Sequence, residues 1–148
     1  MATALLDSNV LVHAAYDASP LHAAASRLVA AGLHQRGLFC ISPQNLVEFA
    51  AVTTRRRFVD PPLSGEAVER MTSILYSSRR LRKVYPSRGA VRLAMQEGAR
   101  LGISGPAWYD LYLAITMRGA GIREIVTDNV RDFDRIPFVT ARRLEGAA

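Results

Sequence analysis

At 148 residues and 49% hydrophobic content, the chain is long enough to enclose one substantial core and too short to suggest two, so residues 1–148 are expected to form a single domain. No run approaches the roughly 18 apolar residues of a membrane span, Asp7 interrupts the N-terminus before a signal-peptide core can form, and Cys40, the only cysteine, excludes an intrachain disulfide and argues against a cysteine zinc site. A soluble, cytoplasmic protein with no membrane partner is therefore expected, and a net charge of +6, carried almost wholly by arginine because Lys83 is the only lysine, admits a polyanionic partner without requiring one.

In chain order, Ala4-Leu5-Leu6 reads as a short buried strand, followed by helical patterning from about Asn9 to Tyr16 and again from Leu21 to His34. Phe39-Cys40-Ile41 reads as a second strand, after which Ser42 caps a helix with Pro43 at its first position, running to about Thr54. Arg55 to Leu63 is a loop. Ser64 then caps a helix to about Ser77, with Val68, Met71, Ile74 and Leu75 at helical spacing. Leu81 to Tyr85 is a third strand, Ser87 begins a helix that Gly102 closes, and Pro106 starts another that ends near Gly119 and Gly121. Glu124 to Thr127 is a fourth strand and Phe138 to Ala141 a short fifth. Strands separated by helices need crossover connections, so the pattern predicts a three-layer α/β/α sandwich around a parallel sheet of four to five strands. Such sheets bind ligands beyond the carboxyl ends of their strands.

Three acids stand alone in segments that otherwise ask to be buried. Asp7 follows the first strand and is the only formally charged side chain from Met1 through Tyr16; Glu48 is the only charge between Ile41 and Thr54; Asp110 is the only one between Leu101 and Met117. None has a basic residue within a helical turn. Burying unpaired carboxylates is costly, and gathering several adds repulsion. A hard dication such as Mg²⁺ or Mn²⁺ would compensate them, hold a water and offset charge at a phosphate. Blander roles are open to each: Asp7 can cap the following helix, Glu48 can be a solvated helix residue, and Asn45, one turn before Glu48, can either steady it or serve the turn. A further cluster, Thr127-Asp128-Asn129-Val130-Arg131-Asp132-Phe133, follows the fourth strand, where Arg131 can pair with either Asp.

Four segments carry a resemblance to a known family: Leu6-Asp7-Ser8-Asn9-Val10-Leu11, Ser42-Pro43-Gln44-Asn45-Leu46-Val47-Glu48-Phe49, Trp108-Tyr109-Asp110 with Ala114, and Val126 through Phe133. In order and spacing they resemble the PIN domains, and within them the VapC-type toxins of bacterial toxin–antitoxin pairs. The resemblance implies a metal-dependent endoribonuclease in which Asp7, Glu48 and Asp110 match the metal-binding acids and Asn9 and Thr127 the supporting polar positions. Asn129 stands where many relatives carry Asp, and Asp132 is favoured over Asp128 as the fourth acid. An RNA substrate, an antitoxin whose tail blocks the site, and a homodimer are also implied. The histidines His13, His22 and His34 receive no role. Arg55-Arg56-Arg57 and Arg79-Arg80 with Arg82-Lys83 can grip phosphates or simply face water.

Other readings fit less well. A non-catalytic RNA- or protein-binding domain on the same scaffold would bind without metal. A receiver-type phosphoacceptor domain needs a lysine after a late strand, and Lys83 comes too early; no GxGxxG or Walker glycine loop follows the first strand.

Overall fold

The computed structural model describes residues 3–146. Its elements in chain order are β1 (Ala4–Leu6), α1 (Ser8–Ala15), α2 (His22–His34), β2 (Phe39–Ile41), α3 (Pro43–Thr53), α4 (Gly65–Ser77), β3 (Arg82–Lys83), α5 (Ala90–Leu101), α6 (Ala107–Gly119), β4 (Glu124–Val126) and β5 (Thr140–Arg142). The five strands form one sheet in the order β3-β2-β1-β4-β5, and every neighbouring pair is parallel.

Alternation along the strands builds two cores, one on each face of the sheet. Leu5, Cys40 and Ile125 point to the face covered by α5 and α6, where they meet Ala90, Ala94, Leu111 and Ala114. Ala4, Leu6, Phe39, Ile41 and Val126 point the other way, onto Val10 and Leu11 of α1, Leu28 of α2, Phe49 of α3 and Leu75 of α4. The central strands β1 and β2 are buried on both sides, which is why they read as continuous apolar runs rather than alternating ones. The arrangement is the α/β/α sandwich expected from the sequence. No helix among the described residues is long and apolar enough to cross a membrane.

Differences lie at the edges. The third strand shrinks from Leu81–Tyr85 to Arg82–Lys83, flanked by Leu81 and Val84 in the two cores, with Pro86, which has no N–H to donate, shortly after it. The helix expected from Ser87 starts only at Ala90, after a turn closed by the Ala90 N–H on the Ser87 carbonyl. The last strand slides to Thr140–Arg142, as the Phe138 ring is held against the Arg118 guanidinium instead of entering the sheet.

Two features position the site. β1 lies at the centre, and the chain leaves it toward β2 on one side and meets β4 on the other, so the carboxyl ends of β1 and β4 open at the switch point of the sheet. On the opposite layer, α5 and α6 approach closely because Gly98 has no side chain: a Cβ there would fall 2.2 Å from the Trp108 ring and 3.1 Å from Leu111 Cδ2.

Candidate functional site

Asp7 leaves β1 with its N–H on the Val126 carbonyl (3.0 Å) and becomes the N-cap of α1. Its Oδ1 accepts the Ser8 N–H at 2.8 Å, and Oδ2 accepts the Thr127 hydroxyl at 2.8 Å and the Asn9 amide at 3.4 Å. Asp7 therefore caps α1 through one oxygen while the other is tied to Thr127, at the end of β4. At 8% exposure it is nearly out of water. Burial pushes its pKa up to about 6, against the pull of the Thr127 and Ser8 hydrogen bonds, and the charges of Glu48 and Asp132 push it further in the same direction.

Glu48 lies on α3, half-buried, with each carboxylate oxygen held: Oε2 accepts the Ser8 hydroxyl at 2.8 Å and Oε1 the Gln44 amide at 2.9 Å. The same Gln44 amide also donates to the Tyr109 carbonyl at 3.0 Å, tying the first turn of α3 to the residue just before Asp110. Asp110 sits in the first turn of α6 on a half-buried face beside buried Leu111, Leu113 and Ala114. Burial, then the charges of Asp132, Asp7 and Glu48, push its pKa up to about 7. Asp132 is exposed in the short 3-10 turn Val130–Phe133, its Oδ2 accepting the Asn129 amide at 2.8 Å. The charges of Glu48 and Asp132 thus act on both Asp7 and Asp110, so the four acids, from four separate elements, lie within electrostatic reach at one end of the sheet. Among the described residues none of the four pairs with an arginine, lysine or histidine.

The supporting residues divide. Asn9 donates to the Thr127 hydroxyl (3.0 Å) and accepts the Asp128 N–H on Oδ1 (3.0 Å), while the Thr127 hydroxyl oxygen also takes the Asn129 N–H at 3.1 Å. Thr127 is fully buried. Asn45 does not reach Glu48: its Oδ1 takes the Ser42 N–H and hydroxyl in a capping box, and its Nδ2 is without a partner. Asp128 does not pair with Arg131 and turns to His13 Nε2 at 2.9 Å. The arginine runs are also partly committed. Arg80, Arg82 and Lys83 donate to backbone carbonyls, and Arg55 and Arg57 lie against the Phe58 ring.

Ser8, Gln44 and His13 were not singled out as site residues. Gln44 carries a legible signal, since it stands four positions before Glu48 on one helix face. The partners of Ser8 and His13 lie 40 and 115 residues away, beyond any local pattern.

The donor set suits a hard dication. All the gathered atoms are carboxylate, hydroxyl and amide oxygens, and the two most perturbed carboxyls carry a charge burden that no protein cation relieves. Among the described residues no three Asp, Glu, His or Cys side chains converge closely enough to cage an ion. Mg²⁺ does not require a cage, since it is held through one or two carboxylates and keeps several waters. Asp7 and Asp110 are the residues that would hold it, with Glu48 and Asp132 adding negative charge around them.

Comparison with known proteins bears on the family and the fold. The PIN domain family model matches residues 4–139. No curated protein matches the chain significantly in sequence. Among solved structures, the chain is similar to DNA-bound VapBC from Salmonella typhimurium (23% identity, 97% of this chain and 99% of that one, TM-score 0.62). VapBC2 from Rickettsia felis, bound to a DNA fragment from its promoter, gives 20% identity over 95% of this chain and 98% of that one, with a TM-score of 0.64. The Mycobacterium tuberculosis toxin VapC20, which cleaves the sarcin-ricin loop, gives 18% identity over 82% of this chain and 85% of that one, with a TM-score of 0.62.

Proposed function

This chain belongs to the PIN domain family, and on that footing we propose that it is an Mg²⁺- or Mn²⁺-dependent endoribonuclease serving as the toxin of a VapBC-type toxin–antitoxin pair. The observation that carries the reading is that Asp7, tied by Thr127, Ser8 and Asn9 at the end of β1, and Asp110, in the first turn of α6, are both raised well above the ordinary carboxyl range, first by burial and then by neighbouring carboxylates, with no protein cation paired to either among the described residues. A non-catalytic binding domain has no use for such a costly arrangement.

When bound, the dication supplies Lewis acidity toward a phosphate oxygen and offsets the carboxylate charges. Asp7, fixed by Thr127, Ser8 and Asn9, presents its carboxylate without reorganisation. Glu48, clamped by Ser8 and Gln44, keeps a lone pair on each oxygen to orient a water in line with the scissile bond. The water oxygen then bonds to phosphorus, the bond to the leaving ribose oxygen breaks, and a water proton ends on that oxygen. Asp132, out in solvent, completes the acidic rim. No histidine or lysine acts as base.

The structural neighbours that are VapBC complexes support an antitoxin partner for this chain. Exposed Val47, Ile74 and Tyr76 on α3 and α4 support a homodimer, and light scattering at micromolar concentration should give twice the chain mass. The decisive assay compares RNA cleavage by wild type, Asp7→Asn and Asp110→Asn, with and without EDTA. Cleavage only by wild type, and only with metal, is expected; equal cleavage by all three would end the proposal.

A further inference from the structure

His13 carries the middle of a hydrogen-bonded chain that ends at the rim of the acidic site. Its Nδ1 lies 2.6 Å from the Ser19 hydroxyl and its Nε2 lies 2.9 Å from Asp128 Oδ2. A carboxylate only accepts, so Nε2 carries the proton given to Asp128; a neutral ring then accepts the Ser19 hydroxyl proton at Nδ1, and every group in the chain is satisfied. Although the residue types are those of a nucleophilic triad, Ser19 is buried and its oxygen already takes the Leu21 N–H at 3.1 Å, so it is not offered to a substrate. The chain is a brace.

What it braces follows from the next bonds. Asn9 and His13 stand four positions apart on one face of α1, and both reach Asp128: Asn9 takes its N–H at 3.0 Å and His13 takes its carboxylate. Asp128 leads directly into Asn129, whose N–H is on Thr127 and whose amide holds Asp132 at 2.8 Å. Two ties from α1 thus fix the start of the 3-10 turn that carries Asp132. We propose that His13 is a positioning residue, which draws Asp128 out of the acidic cluster and locks the loop in the register that presents Asp132 toward Asp7 and Asp110. The proposal rests on the metal-site reading above and explains which of the two loop acids serves it.

Calorimetric titration of the full chain with MnCl₂ tests this. His13→Ala should weaken Mn²⁺ binding by about tenfold, the scale of losses when a supporting partner of a ligand is removed, and His13→Gln, which keeps a donor for Asp128, should recover most of it. Asp128→Ala should match His13→Ala, and the double variant should be no worse than either single, because both break one tie. Additive losses would make Asp128 an independent ligand and overturn the brace, as would unchanged Mn²⁺ affinity in a folded His13→Ala protein, or a His13→Gln protein no better than His13→Ala. Wild type that takes up no Mn²⁺ would instead remove the metal site itself, and the brace with it.

Discussion

The two ends of the sheet treat acidic residues in opposite ways. At the amino end, Glu124 at the start of β4 meets Arg142 at 2.9 Å, and Glu97 on α5 pairs with Arg100 beside a cleft also lined by Arg118 and Arg123. At the carboxyl end, Asp7, Glu48 and Asp110 lie among hydroxyls, amides and one another, with no cation against them. A chain with 19 Lys and Arg against 13 Asp and Glu has cations to spare. That Asp7, Glu48 and Asp110 nevertheless lack one among the described residues is what the proposed dication site requires.

The comparison is broken most severely by removing charge from the unpaired end. Asp7→Asn or Asp110→Asn should lower Mn²⁺-supported RNA cleavage by about two to three orders of magnitude, whereas Glu124→Gln should cleave like wild type in the same fluorogenic assay. An Asp7→Asn protein with full activity would place the chemistry elsewhere.

The next effect is on metal affinity. With Asp7 protonated below about 6 and Asp110 below about 7, Mn²⁺ must displace protons. Binding should therefore tighten steeply as pH rises from about 5 and level off near about 8. Titrations in which affinity is flat across that range would contradict the raised carboxyls.

Smaller, and of opposite sense to most site mutations, is the effect on stability. A carboxyl raised above its unfolded value of 3.8 favours folding while protonated, so this contribution is fully present below about pH 4 and is lost as pH climbs through about 6 and 7. The metal-free protein should accordingly melt lower at pH 8 than at pH 5 on account of these two groups. Asp110→Asn at pH 8 should raise the melting temperature by a few degrees, with the full shift tempered by the partial exposure of Asp110, and should abolish the gain that Mn²⁺ gives wild type. A lower melting temperature for the variant would mean that Asp110 is structurally required. The smallest effect belongs to the paired end: Glu124→Gln should cost less than about 1 kcal/mol, as expected of a partly exposed ion pair, with the thermal response to Mn²⁺ untouched.

Much of this was legible before any coordinates. Short buried strands, the Ser42-Pro43 and Ser64 helix starts and the Gly102 stop all fall where local chemistry puts them, because each depends on residues within a turn of one another. The lone acids were legible for a related reason: a charge in an apolar segment is conspicuous whatever it does. What stayed hidden was mostly non-local. The reach of Gln44 to Glu48 lay within one helical turn, but its bond to the Tyr109 carbonyl, 65 residues on, did not. Asp132 was favoured over Asp128 through the resemblance, but the contact that ties Asp128 to His13, 115 residues away, was not legible.

The contact of Gly98 with Trp108 reaches further than packing. Trp108 and Asp110 share the first turn of α6, so the depth to which the indole sinks against α5 governs how far the acid advances over the sheet. A hydrogen atom in place of a methyl group acts as the gauge for that advance. A side chain at Gly98 would therefore shift the acid as well as the indole, although it lies on α5, away from the strands that lead into Asp7 and Thr127.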